Sequence, residues 1–370
     1  MKDQMTTKER WLGAIRMQEL DRLPFYPKFF PRYVNAQASP FKEMGYSGLH
    51  NWIGSDKHIW TGGCTKEVYK HCSFERSFPD YDKGELIEKR IYRVNGRELR
   101  LIFESDEETK SKHPVEHPVK NLEDIKDLTA FFEDASVELD KDALLVQTQK
   151  VKGIGQDALT AVQSGPTPLM NWVQHLAGVE NSHYLLADHE KEVEALFEAM
   201  HQVMLKRFEI MCDTNPADVF YLIENTSTSL ISPEQYRRYC SRHIREYGEI
   251  LKKRDRILVL HMCGHLKDLL PELASSPANA FEAFTSPPLG NTTLLDGRTA
   301  CPDKCLVGGT NAMLWLRKPE EIIAKIEESL DELPHHRGIV VSSGGEMAVD
   351  CKPETIKTVC EWVKSYNPKF

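Results

Sequence analysis

Residues 258–270 read LVLHMCGHLKDLL. An apolar run leads into His261, Met262, Cys263, Gly264 and His265, and a helix-like pattern follows. Alternate residues of a strand share a face, so His261 and Cys263 can point the same way from the strand's end. Imidazole and thiolate together suit a borderline-soft cation such as zinc, which takes at least three protein ligands. The plainer alternative is a core histidine with a local hydrogen bond beside a core cysteine, with His265 capping the next helix.

Other polar residues stand at the ends of apolar runs and are candidates for the same site. Glu224 follows YLI and could orient or protonate a leaving group, or close a local cap. Glu282 lies inside FEAF and could face a ligand or a barrel interior. Glu346 follows VVSSGG. Phe25, Phe29 and Phe30, in FYPKFFPRY, could form an aromatic wall for a ligand or serve as plain core.

The elements that must position these residues alternate. From about residue 136, helical patterns precede short apolar runs at 158–165, 217–225, 256–264, 278–284, 305–309 and 338–345, and a helix at 353–366 closes the series. Strands of this length alternating with helices mean a parallel sheet. With the strand candidate at 22–30, the count suits a single-domain α/β (β/α)8 barrel spanning 1–370, whose active site lies at the C-terminal strand ends. A doubly wound open sheet is the alternative, but there is no glycine-rich dinucleotide turn to support it. Before this region, Asn95-Gly96 sits between two alternating runs, which predicts a hairpin within an insertion over 60–105. A helix is expected over 6–18 and a charged helix over 136–152.

Composition narrows the partners. The chain has 370 residues, 41% hydrophobic and 28% charged, with a net charge of -9. An acidic balance argues against a nucleic-acid partner. No run approaches the ~20 apolar residues of a membrane span, and the N-terminus lacks the apolar segment of a signal peptide. Nine scattered cysteines without a framework fit a reducing cytoplasm.

The sequence resembles the uroporphyrinogen decarboxylase superfamily and, within it, the corrinoid-dependent methyltransferase branch. The resemblance is carried by TTKERWLGAIRMQELDRLPFYP, LIENTSTSLISPEQYRRYCSRHIREYGEILKK, LVLHMCGHLKDLLPEL, SPPLGNTTLLDGRTACPDKCLVGGTNAMLW and VVSSGGEMAVDCKPETIKTV. It implies the barrel and, at the HxCG element, two of three zinc ligands. The decarboxylase's arginine-rich motif, similar to MRQAGR, is replaced here by YPKFFPRYVNAQ, with only Lys28 and Arg32 as cations. That departure argues against tetrapyrrole decarboxylation. The branch's third ligand is a cysteine ending the last strand; at the usual spacing before Pro353 it falls on Glu346, ahead of Cys351 and of the Cys301/Cys305 pair.

The resemblance therefore implies a zinc methyltransferase with His261, Cys263 and Glu346 on the metal. A harder carboxylate ligand leans toward an oxygen-bound methyl group. The expected substrate is a methoxylated aromatic held by Phe25, Phe29 and Glu282, with Glu224 as the catalytic residue. The methyl group would pass to the cobalt of a separate corrinoid protein, because no DxHxxG-type corrinoid element is present. The insertion would help this partner dock, and a homodimer is expected from related barrels. Two other readings stay open: the reverse transfer from methyl-corrinoid to a thiol such as coenzyme M, and a metal-free ligand-binding barrel.

Overall fold

The computed structural model describes residues 3–78, 88–105 and 112–370. Eight parallel strands form one sheet. In chain order they are β1 (Phe25–Tyr26), β2 (His58–Thr61), β3 (Leu159–Gln163), β4 (Val219–Ile223), β5 (Ile257–His261), β6 (Ala280–Phe284), β7 (Cys305–Gly309) and β8 (Ile339–Ser342). Each pairs with its sequence neighbour from β2 to β8, and β8 returns to β1. This is the expected (β/α)8 barrel, with helices between the strands from β3 onward.

The seam between β1 and β2 is closed by a side chain. The Asp56 N–H donates to Phe25 O at 2.8 Å, and the Asp56 carboxylate accepts from the Phe25 N–H at 2.9 Å. That carboxylate therefore stands in for a ladder rung. Arg10 and Arg22 hold it at 2.5 and 2.7 Å from below. Arg10 belongs to the helix Thr7–Ile15, which opens on a Thr6/Glu9 capping box and places Trp11 in the barrel floor.

Strand alternation sorts the core into two layers. Tyr26, Leu159, Ala161, Val219, Tyr221, Ile257, Val259, Ala280, Val307 and Val340 fill the interior with Trp11. Phe25, Phe220, Leu222, Leu258, Leu260, Phe281, Leu306 and Val341 pack outward against the helices. In β6 the alternation is broken on purpose. Ala283 has φ 62°, and the register with β7 shifts between Glu282 and Phe284. The bulge lets Glu282 face inward while Phe284 returns to the outer layer. Gly308 lies so close to this bulge that a Cβ would sit 2.2 Å from Phe284 O, so only glycine fits.

The insertion runs farther than the sequence implies. Glu88–Val94 and Arg97–Ser105 pair across a two-residue Asn95-Gly96 turn with φ 53° and 76°, as expected. The beginning of that run lies outside the described residues. Ser73–Ser77 and Lys112–Glu116 complete a four-stranded antiparallel sheet. Ala135–Leu139, expected as helix, pairs antiparallel with Thr65–Tyr69, and the helix begins only at Lys141, after the Asp140 cap. Helices Pro31–Ala36 and Phe41–Ile53 and strand β2 were not legible, since Pro and Gly interrupt the first two and β2 has four residues. Among the described residues no helix is long and apolar enough to cross a membrane.

Candidate active site at the barrel mouth

Three inward-facing side chains converge at the C-terminal strand ends: Lys28 beyond β1, His261 ending β5 and Glu282 on β6. They share the parity of Tyr26, Val259 and Ala280 in the interior layer. Lys28 Nζ lies 2.9 Å from Glu282 Oε1 and 3.2 Å from His261 Nδ1. His261 Nδ1 also pairs closely with Glu282 Oε2. One ring nitrogen carries one proton, so its tight contact with the carboxylate makes Nδ1–H a donor to Glu282 and leaves Nε2 for another partner.

Burial by itself would raise the Glu282 carboxyl, but Lys28 and then His261 hold it down at about 2. For His261, burial and the Lys28 charge act downward, yet Glu282 and a hydrogen bond with Cys263 leave it raised. Burial acts upward on the Cys263 thiol, and the His261 contact brings it below its ordinary value. Cys263 is exposed at the rim although protein surrounds much of its sulfur. Below the cluster, His58 stacks on Tyr221 at 5.3 Å. Burial pushes His58 down to about 3, so it is neutral.

A second network reaches Cys263 from β4. The N–H groups of Glu224 and Asn225 both donate to His261 O, at 3.1 and 3.0 Å. Asn225 adopts φ 49°, a left-handed conformation that Asn tolerates better than most residues. Its Nδ2 donates to Gln174 Oε1 at 2.7 Å, and Gln174 Nε2 donates to Glu224 O at 2.9 Å. Cys263 Sγ donates to Asn225 Oδ1 at 3.6 Å. Gln174 sits in a π-helical turn, Trp172–Leu176, against which the insertion packs through His117 Nδ1 and His175 O at 2.8 Å.

The structure corrects several expectations. Glu224 shares parity with the outward Phe220 and Leu222, and its carboxylate accepts from Thr167 N and Oγ1 at 2.6 and 2.8 Å. It caps the segment after β3 rather than facing the mouth. Phe25 is fully buried in the outer layer, 6.0 Å from Trp315. Phe29 is fully buried too, stacked 4.2 Å from His50. Neither lines a ligand surface. Glu346 is half-buried and pairs with Arg32 at 3.0 Å. Cys351 is buried in the outer core, and Cys301 and Cys305 lie at the start of β7, the far end from the mouth. Among the described residues no three His, Cys, Asp or Glu side chains are grouped to hold a metal ion. All nine cysteines are free.

Glu282 does reach the mouth, as the partner of His261 and Lys28. The site residues to which the sequence assigned no role are Lys28, Asn225 and Gln174. Lys28 was visible by parity with Tyr26, and Asn225 by its place one residue past a strand end. Gln174 carries no such signal, because its helical turn is a local irregularity.

The fold and site together define a barrel with an exposed thiol and an oriented imidazole at the end of β5. The chain belongs to the uroporphyrinogen decarboxylase (URO-D) family, whose sequence profile matches residues 100–366. Among solved structures it is similar to a methyltransferase from Methanosarcina mazei, with a TM-score of 0.61 at 15% identity over 98% of this chain and 99% of that one. That likeness shows the fold over the full length. A putative vitamin-B12 independent methionine synthase from Listeria monocytogenes matches at TM-score 0.38 and 14% identity over 60% of this chain and 68% of that one, too slight to carry an argument. No curated protein sequence matches the chain.

Proposed function

We propose that this chain is a zinc-dependent methyltransferase of the family, moving a methyl group between a methoxylated aromatic substrate and the cobalt of a separate corrinoid protein. The observation that carries the reading is the contact of the exposed Cys263 thiol with His261, whose Nδ1 is held by a buried carboxylate. Family membership and full-length likeness to the methyltransferase from Methanosarcina mazei support it.

The donor set fits zinc at two positions. A ligating histidine characteristically donates its other N–H to a carboxylate, which fixes tautomer and ring orientation, and Glu282 does this for His261. His261 Nε2 and Cys263 Sγ would hold the ion. When bound, zinc supplies Lewis acidity toward the substrate's ether oxygen. The rest is done by the chain's own residues. The carbon–oxygen bond breaks as the partner's cobalt takes the methyl group, and the oxygen leaves as a phenoxide. The buried Lys28–Glu282 pair holds His261 in its orientation at the mouth. The insertion, standing beside the mouth at Trp172–Leu176, gives the corrinoid partner a rim to dock on.

A panel of methoxyaromatics, methanol, methylamines and methyl thioethers, each incubated with the chain and cob(I)alamin, tests the assignment by loss of cob(I) absorbance. Consumption with methoxyaromatics is expected. Consumption confined to the nitrogen or sulfur donors, or with none of the panel, overturns it.

A further inference from the structure

We infer that Asn225 Oδ1 is the third protein ligand of the metal at the barrel mouth. The inference rests on the zinc reading above and replaces the family's cysteine: among the described residues no third His, Cys, Asp or Glu joins His261 and Cys263 in a group that could hold a metal ion, and Glu282 is engaged by His261 Nδ1 and Lys28.

The first observation is a distance. Asn225 Oδ1 lies 3.6 Å from Cys263 Sγ. A zinc–sulfur bond of about 2.3 Å and a zinc–oxygen bond of about 2.1 Å, meeting at a tetrahedral angle of about 109°, separate the two ligand atoms by about 3.6 Å. The two atoms already stand at the spacing that a shared tetrahedral ion requires.

The second observation is which end of the amide faces the sulfur. Glu224 O is a backbone carbonyl and can only accept, so Gln174 must turn its Nε2 toward it, at 2.9 Å. Gln174 then offers Oε1 to Asn225, which must answer with Nδ2, at 2.7 Å. That leaves Oδ1, the lone-pair end, aimed at Cys263. The order of donors and acceptors runs one way from a backbone anchor, and it presents oxygen rather than nitrogen to the site.

The third is backbone placement. Asn225 holds φ 49°, and its N–H donates to His261 O at 3.0 Å. Asn is among the few non-glycine residues that adopt this left-handed conformation readily. Here it hangs the amide beside the two residues of the HxC element.

The chemistry follows from charge. Histidine and an amide oxygen are neutral and one thiolate is -1, so a divalent ion with these ligands keeps a net charge of +1. A His, Cys, Cys set would neutralise it. The residual charge makes the ion a stronger Lewis acid toward a hard oxygen, and binds it less tightly than a second thiolate would. On binding, the Cys263 thiol proton is exchanged for the metal and passes to solvent.

Titration of the metal-free chain with Co²⁺, and competition of Co²⁺ by Zn²⁺, tests this without reference to turnover. Asn225→Gly keeps the left-handed backbone without strain, so it should fold as wild type, checked by circular dichroism. It is expected to lose at least ~10-fold in Co²⁺ affinity and to change the d–d bands, while the thiolate-to-cobalt charge-transfer band survives. Asn225→Asp, which tolerates the same backbone conformation, should bind more tightly than wild type. Gln174→Leu should weaken binding by freeing the Asn225 amide. Unchanged affinity and d–d bands in Asn225→Gly, with wild type binding one ion, overturn this inference and leave the zinc reading standing. No uptake of Co²⁺ or Zn²⁺ by wild type overturns both.

Discussion

Glu224→Gln separates a structural carboxylate from a catalytic one. Glu224 is fully buried, and burial raises its carboxyl to about 7 even though the two Thr167 bonds act downward. In the unfolded chain the group returns to 4.5. The native state therefore holds the proton more tightly, and the stabilisation is complete below about 4.5 and is lost as pH rises through about 7. A difference of roughly 2.5 units at about 1.36 kcal/mol each gives about 3 kcal/mol. Gln cannot ionise, and it can copy the protonated acid: its oxygen accepts from Thr167 N while its NH₂ donates to Thr167 Oγ1, whose own proton goes to Cys240 Sγ at 3.3 Å. Urea-unfolding midpoints measured at intervals from pH 4 to pH 8 should fall with pH in wild type by an amount worth about 3 kcal/mol more than in Glu224→Gln. Methyl transfer in the variant should stay within about threefold of wild type, a change worth under 1 kcal/mol in the barrier. Parallel pH profiles would refute the buried-acid reasoning, and a collapse of activity with an intact fold would return Glu224 to the reaction.

Three further substitutions probe the frame around the site. Glu346→Gln should leave metal content unchanged by elemental analysis, because its carboxylate pairs with Arg32 instead of the His–Cys corner. Glu282→Gln strands the buried Lys28 ammonium and should destabilise the fold by about 3–5 kcal/mol in urea unfolding. It should also weaken Zn²⁺ binding by about 10–100-fold through His261. Since Glu282 is held down at about 2, its stabilisation is present above 4.5 and lost as pH falls toward 2, so the variant's stability should vary less with pH over that window. Asp56→Asn removes the carboxylate that Arg10 and Arg22 share at the β1–β2 seam while Asp21 and Asp3 still pair with them, and should cost about 1.5–3 kcal/mol and lower the melting temperature without changing metal content.

The barrel was legible because each unit from β3 to β8 is a short apolar strand beside a helical pattern, and that alternation admits few folds. β2 was not legible, because HIWT is four residues long and reads as part of the insertion. At the site, the HxC spacing brought His261 and Cys263 forward, and the structure places their side chains in contact. Glu224 was misplaced for a reason the sequence does contain: it shares parity with Phe220 and Leu222, so it had to face outward. Glu282 was harder to place, since the bulge at Ala283 interrupts alternation immediately after it. Glu346 was chosen by spacing from Pro353, and spacing along a loop does not fix direction; the Arg32 pair decides that. The amide chain from Gln174 to Cys263 spans residues far apart in sequence, so only the folded chain displays it.

The proposed function puts methyl transfer at the His261–Cys263 corner of the barrel mouth. The direct measurement is the initial rate of cob(I)alamin methylation by a methoxyaromatic donor in wild type, His261→Ala and Cys263→Ser, with each fold verified by circular dichroism. A loss of at least ~100-fold is expected in both variants, about 2.7 kcal/mol or more in the barrier. Wild-type rates in either folded variant would contradict it.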